Sequence, residues 1–196
     1  MKAARPVADR RDTLLAAVMR IAADRGLDEV SFREVAAESG VSLGTVQYYF
    51  PNKDALVRAA FAQVVEQITA RLLACERGPS AADSLRRILE QLIPLDELRR
   101  LESRVYLAFA ARAAVVPELR DIQHASWDRL RTFCRELIRS AQRDGTARAD
   151  VDASIASAGL VAVVDGLLLH MLTDPSGLTS RRATAILRQQ LAAIFG

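Results

Sequence analysis

Between Ser42 and Lys53 the chain sets Ser42, Thr45, Gln47, Tyr48 and Tyr49 close together, with apolar Leu43 and side-chain-free Gly44 among them and Lys53 just beyond. Amide and hydroxyl groups of this kind exchange hydrogen bonds with base edges, and a leucine can meet a thymine methyl. A glycine permits close approach, and tyrosine hydroxyls and lysine suit phosphates. Catalytic chemistry, by contrast, has little to build on. His124 and His170 are far apart, and there is no HExxH, no glycine-rich phosphate loop and no nucleophile-elbow string. Cys75 and Cys134 are not in a CxxC spacing, so neither a disulfide framework nor a zinc site is implied, and both are expected as core thiols. The expectation is therefore a protein that is not an enzyme and holds no metal or cofactor.

The elements that must carry these residues are helices. Apolar residues recur at three- and four-residue steps from end to end and no strand-like alternation of any length interrupts them, so the chain reads as all-α with about nine helices. The first places Leu14, Leu15, Val18, Ile21 and Ala22 on one stripe and is expected to end at Gly26 in a left-handed cap, with Leu27 as the accompanying contact. A short second helix opens at Ser31, where Glu34 three positions on completes a capping box, and Ser39-Gly40-Val41 breaks it. A third short helix starts at Ser42 and stops at Phe50-Pro51, because the residue before proline disfavours helical geometry. From an Asn52 cap a long fourth helix is predicted to run to Arg77, where Gly78-Pro79 stops it, spanning roughly 39 Å at 1.5 Å per residue. Ser80 with Asp83 caps a fifth that Pro94 terminates, a sixth follows Asp96, and Pro117 fits the first turn of a seventh ending near Gly145. Asp150 or Asp152 caps the eighth, and Asp174-Pro175-Ser176-Gly177 separates it from the ninth.

Two short helices joined by a glycine turn and braced by a preceding helix are the parts of a helix-turn-helix unit, with Val35, Ala36, Val41 and Val46 as its small core and Gly40 at the turn. Its second helix must be able to enter a major groove about 12 Å wide. An ordinary αα-corner without a ligand has the same spacing, so pattern alone leaves both readings open.

The string from Val41 through Tyr48-Tyr49-Phe50-Pro51-Asn52-Lys53 to Leu56 resembles the recognition-helix junction of tetracycline-repressor (TetR) family proteins. The Ser31-Phe32-Arg33-Glu34-Val35-Ala36 run and the Gly40-Val41 turn match the same pattern, so the likeness is strongest over residues 10 to 60. More weakly, Pro94, Asp165-Gly166-Leu167 and Asp174-Pro175 are similar to a subgroup that includes choline-responsive repressors. The resemblance implies an N-terminal DNA-binding domain over residues 1–51 and a ligand-binding and dimerisation domain over 52–196. It further places Ser42, Leu43, Gly44, Thr45, Gln47, Tyr48 and Lys53 at DNA-contacting positions, and Tyr49, Ser31 and Arg33 are expected as backbone contacts beside them. Of the paired tyrosines, Tyr48 is expected to reach phosphate and Phe50 to lie in the core. Leu43 and Gln47 stand where the family often has a basic or polar residue and an aromatic, so the operator sequence is left open.

The same resemblance implies an isologous homodimer through the eighth and ninth helices, whose small residues Ala156, Ala158, Gly159 and Ala162 permit close approach. It implies an effector cavity with Tyr106, Phe109, His124, Trp127, Phe133, Asp165 and His170 as candidate ligand residues. Such a pocket can accommodate a fatty or aromatic acid without turning it over. Asp165, inside an apolar run, needs a hydrogen-bonding or cationic partner from protein or ligand, because burying it alone costs several kcal/mol. The stretch from Ile155 to Leu172 is broken by Ser157, Asp165 and His170, and no signal-like segment opens the chain, so a cytoplasmic protein without a membrane segment is expected.

Charge alone decides little. The net charge is +3, yet residues 1 to 53 hold eight basic and seven acidic side chains. The first eleven residues form a short basic arm of Lys2, Arg5, Arg10 and Arg11, opposed by Asp9 alone. The expected function is a ligand-responsive repressor that binds a palindromic operator as a dimer and is released by a small-molecule effector. The alternative is a dimeric helical ligand-binding or interaction protein without DNA binding.

Overall fold

The computed structural model describes residues 7–196, with side chains from Arg10 onward, so Lys2, Arg5 and the side chain of Asp9 lie outside the described residues. Nine α-helices and one 3-10 turn account for the regular structure of that span, and no strand occurs in it. Two compact units result. The first comprises the residues up to 67 together with 104–122, the second residues 68–103 and 123–196.

The first unit contains α1 (Val7–Arg25), a 3-10 turn (Leu27–Glu29), α2 (Phe32–Ser39), α3 (Leu43–Tyr49) and the start of α4 (Lys53–Ala74). It also holds the later part of α6 (Glu97–Ala113) and the first residues of α7 (Pro117–Arg143). The apolar stripe of α1 is sealed: Leu14, Leu15, Val18 and Ile21 are buried, as are Val35, Val46, Phe50 and Leu56. Each such leucine or isoleucine contributes about 1.5–3 kcal/mol by leaving water. α1 packs on α2 and on the 3-10 turn, and α2 packs on α3.

The second unit is built from α5 (Ala81–Glu90), α8 (Ala153–Thr173) and α9 (Ser180–Phe195) with the remaining parts of α4, α6 and α7. Its core joins Leu85, Leu89 and Ile93 to Cys134 and Ile138, to Leu160, Val164, Leu167 and Met171, and to Leu187 and Leu191. α8 is long and apolar enough to cross a membrane. Its Leu160, Val164, Leu167 and Met171 pack into this core, beside α9.

Several local expectations are corrected. α4 ends at Ala74, not Arg77, because the chain must turn early to bring Gly78 against α5, where the Gly78 N–H donates to Ser84 Oγ at 3.0 Å. α5 stops at Glu90, four residues before Pro94, with the Gln91 N–H bonded back to the Ile88 carbonyl at 3.0 Å. Gly26 has a positive φ of 88° but a ψ of 165°, which is the glycine-only extended region and not a left-handed cap; it leads into the unanticipated 3-10 turn. Val41 is only half-buried, and so is Cys75, which leaves Cys134 as the core thiol. Burial pushes the Cys134 thiol up to about 12, so it is unreactive at neutral pH.

Candidate nucleic-acid interface and effector site

Capping fixes the two short helices. Ser31 Oγ accepts from the Glu34 N–H at 3.2 Å at the start of α2, and Ser42 Oγ accepts from the Thr45 N–H at 3.2 Å at the start of α3. Between them Gly40 adopts φ 67° and ψ 32°, and the Val41 N–H returns to the Ala36 carbonyl at 3.0 Å, closing α2 through the left-handed residue that a glycine tolerates best. Arg20 pairs with Glu38 at 2.7 Å and Arg25 with Glu34 at 2.7 Å, joining α1 to α2.

That scaffold divides α3 into an inner and an outer face. Val46 is fully buried, whereas Tyr48 is 81% exposed and Leu43 38% exposed. Ser42, Gly44 and Gln47 are exposed as well, and Thr45 is half-buried with its hydroxyl 2.9 Å from that of Ser42. A side chain at Gly44 would meet only Ser42 Oγ, at 3.9 Å, so nothing inside the unit requires a glycine there. Tyr49 is half-buried and receives Tyr48 edge-on with ring centroids 5.2 Å apart. Ser31 is half-buried, and Arg33 stands exposed on α2. The Lys53 ammonium donates to the Asp28 carbonyl at 3.4 Å, and Asn52 Oδ1 caps α4 by accepting from the Ala55 N–H at 2.8 Å. The ten residues singled out for DNA thus fall on α2, α3 and their flanks, most of them facing solvent.

Two features of this unit escaped the sequence. The Arg11 guanidinium lies over the Phe50 ring, 5.7 Å from its centroid, which places one cation of the basic arm beside the C-cap of α3. A cleft of about 300 Å³ is lined by Leu27, Lys53, Arg58, Arg112, Val116 and neighbouring residues. Only the basic arm hinted at the first, and no local pattern marked the second.

The candidate ligand residues separate into groups. Within the first unit Phe109 is fully buried and stacked on Phe61, with centroids 5.0 Å apart, and Tyr106 tilts against the same ring at 6.4 Å. Within the second unit half-buried Asp165 of α8 is brought beside Trp127 of α7. Burial pushes the Asp165 carboxyl up to about 6, while the Trp127 indole N–H pulls it the other way. The indole Nε1 is sealed from water but falls short of ordinary hydrogen-bond geometry. Phe133 carries the Arg77 guanidinium 4.6 Å above its ring, and His124 and His170 are exposed. Among the described residues no cluster of His, Cys, Asp or Glu could hold a metal ion.

Comparison with known proteins agrees with this geometry. Residues 14–60 match the family model for bacterial regulatory proteins of the tetR family, and residues 81–196 match that for the C-terminal part of BetI-type transcriptional repressors. The HTH-type transcriptional regulator PksA of Bacillus subtilis is 30% identical over 186 residues, covering 94% of this chain and 89% of the relative. The regulator BetI of Stenotrophomonas maltophilia is 30% identical over 165 residues, covering 82% and 80%. A crystal structure of a transcriptional regulator from Rhodococcus sp. Rha1 superposes with a TM-score of 0.86 at 35% identity over 94% of this chain and 95% of that one. A regulator from Saccharomonospora viridis solved in complex with choline superposes with a TM-score of 0.83 at 29% identity over 94% of both chains.

Proposed function

Because the chain belongs to the TetR family of bacterial transcriptional regulators, we propose that it is a ligand-responsive repressor which binds a palindromic operator as a homodimer and is released by a small-molecule effector. The observation that carries the DNA half of this reading is the two-faced α3, anchored by Val46 and presenting an uncharged, hydrogen-bonding outer surface. Gln47 and Thr45 supply groups for base edges, Leu43 a methyl contact, and Gly44 the clearance for close approach. Tyr48, Tyr49, Ser42, Ser31, Arg33 and Lys53 take the phosphates, fixing register and not sequence.

An uncovered apolar face supports the dimer. Ile155 on α8 is 73% exposed and Leu169 40% exposed, with Ala158, Gly159 and Ala162 exposed between them and Ile186 of α9 open as well. A side chain at Gly159 would meet no atom within 4 Å, so that stretch is free to receive another helix. A second copy of α8 and α9 is the cover of matching chemistry, and a two-fold pair of α3 helices is what half-sites one turn apart demand.

Effector binding shifts the population toward a conformation in which the recognition helices no longer match the operator. A coupling of about 1–3 kcal/mol weakens operator binding several-fold to a hundred-fold. The candidate contacts remain, in the second unit, His124, Trp127, Phe133, Asp165 and His170 and, separately in the first, Tyr106 and Phe109, and the choline held by the solved neighbour makes a small polar effector the first to screen. With chromosomal DNA as partner, the protein works in the cytoplasm.

Selection of bound fragments from random DNA, followed by mobility shifts on the enriched sequence, tests the reading. A palindromic motif bound by a dimer is expected. No enrichment at low salt, with an intact dimer in solution, would favour the competing interaction protein without DNA binding, to which the exposed, apolar Leu43 lends its support.

A further inference from the structure

The cleft of about 300 Å³ lies wholly within the first unit, and four apolar side chains line it. Val57 of α4 and Leu119 of α7 are buried there, and Leu27 and Val116 are half-buried. Its walls are pinned one helical turn away. Phe61 of α4 lies face to face with Phe109 of α6, the rings 5.0 Å apart and 6° from parallel, and both are fully buried. Arg58 stands three residues before Phe61 and Arg112 three residues after Phe109, so each is one turn from the stack on its own helix, and both line the cleft. Packed aromatic rings therefore hold the two arginines at one opening.

Around that apolar lining, charges of both signs stand apart. Among the described residues neither guanidinium has a hydrogen bond or an ion pair, although Asp28, Asp54 and Glu118 line the same cleft. Asp54 even precedes Arg58 by four residues, the spacing at which helical ion pairs close, yet its carboxylate is unpaired, as are those of Asp28 and Glu118. The Lys53 ammonium is directed to the Asp28 carbonyl. A simple anion in this cleft would meet the carboxylates, and a simple cation the guanidiniums. A zwitterion satisfies both, because two guanidiniums can grip one carboxylate while an ammonium turns to the acids. The volume is at the small end of the roughly 300–1,000 Å³ of ligand sites, which suits a molecule of amino-acid size. We propose that the cleft is a ligand site on the DNA-reading unit for an apolar α-amino acid. Its carboxylate is held by Arg58 and Arg112, its ammonium by Asp54 and Glu118, and its side chain rests on Val57 and Leu119. This site is additional to the effector reading and requires neither an operator nor a dimer.

The full-length protein is titrated with L-leucine and L-phenylalanine by calorimetry at low ionic strength, where exposed charges are least screened. Each amino acid is compared with two counterparts that keep the side chain and lose one charge. For leucine these are 4-methylpentanoate and 3-methylbutylamine, and for phenylalanine 3-phenylpropanoate and 2-phenylethylamine. Leucine or phenylalanine is expected to bind saturably, and both of its counterparts at least about tenfold more weakly. Arg58→Ala and Arg112→Ala should each weaken the amino acid by at least about tenfold, and Arg112→Lys, which keeps the charge but not the planar fork, by less. Joining Asp54→Asn to Glu118→Gln should weaken the amino acid by at least about tenfold while leaving the carboxylate counterpart bound no more weakly than by the parent chain. All four side chains are exposed, so the variants should melt at the temperature of the parent chain. The proposal is overturned if neither amino acid binds. It is equally overturned if a counterpart with one charge binds as tightly as the amino acid, since the site would then select a simple ion. Arginine variants that melt like the parent chain and bind the amino acid equally well would place the binding elsewhere and discard the cleft.

Discussion

Replacing Asp165 with asparagine keeps the shape of the side chain and removes its charge, and the structure fixes how stability should respond to pH. An ordinary aspartate carboxyl titrates at 3.8, whereas burial pushes Asp165 up to about 6. At about 1.4 kcal/mol per tenfold change in proton affinity, ionising it in the fold costs on the order of 3 kcal/mol more than in the unfolded chain. Partial solvent access reduces this to about 1–3 kcal/mol. The sign follows from proton binding. Between about pH 4 and pH 6 the folded state holds a proton that the unfolded state has released, so the parent chain loses stability as pH rises through that window and levels off above it. The asparagine variant has no such loss. The difference between the two chains should therefore be small near pH 4 and grow to about 1–3 kcal/mol in favour of the variant above pH 7. Urea denaturation followed by circular dichroism, at one fixed protein concentration because the stability of the proposed dimer would depend on it, measures it at each pH. A difference that stays constant from pH 4 to pH 8, or a variant less stable at neutral pH, would show that the carboxylate is paired or hydrated and would refute the reasoning.

Four other outcomes follow from single contacts. Ser42→Ala removes the acceptor for the Thr45 N–H and should cost about 1 kcal/mol in urea denaturation, while Ser42→Gly costs only a few tenths. Gly78→Ala would set a methyl 2.3 Å from the Asp83 Cβ and 2.8 Å from its carbonyl carbon. It should destabilise by about 1–3 kcal/mol in thermal melts, and an unchanged melting point would mean that this junction is not packed as described. Lys53→Ala should lower the salt slope of operator binding by about one per bound protomer without altering site preference; lost preference with an unchanged slope would remove Lys53 from the phosphate contacts. Gln47→Ala should relax discrimination at one base position, so an unchanged selected motif would remove Gln47 from the base-reading set.

The sequence made legible those parts of the fold that are decided within a few residues. The caps at Ser31, Ser42 and Ser80 each receive the backbone N–H that their spacing predicts, and of Asp150 and Asp152 it is Asp152 that caps α8. Gly40 closes α2, and Pro117 opens α7. The early end of α4, the 3-10 turn after Gly26 and the half-exposure of Cys75 were not legible, because each depends on what a distant segment supplies. Ser84, for example, offers its hydroxyl to Gly78 from the next helix. The candidate site divides along the same line. The outward face of α3 could be read from period and capping, and so could the anomaly of a carboxylate in an apolar run. That Trp127 is its neighbour, that Arg11 stacks on Phe50, or that a cleft opens beside Lys53 depends on packing that no local window contains.

The near-neutral charge of the DNA-reading head is resolved by where its charges are used. Glu34 and Glu38, the acids of α2, are both held by arginines of α1. The segment from Ser42 to Tyr49 contains no charged residue at all, so nothing on the reading helix itself repels a phosphate. Arg33 and Lys53 are left exposed on either side of it, with Arg11 fixed nearby over Phe50. If each protomer makes the two proposed charged phosphate contacts, a dimer is expected to show a salt slope of about −4, which is modest. On the proposed reading, such a head is expected to bind non-specific DNA weakly and to discriminate through the uncharged groups of α3 with both protomers engaged at once. On the proposed reading, operator recognition needs the dimer through α8 and α9, and a substitution that fills the open space at Gly159 should weaken DNA binding even though it lies on a different unit from α3.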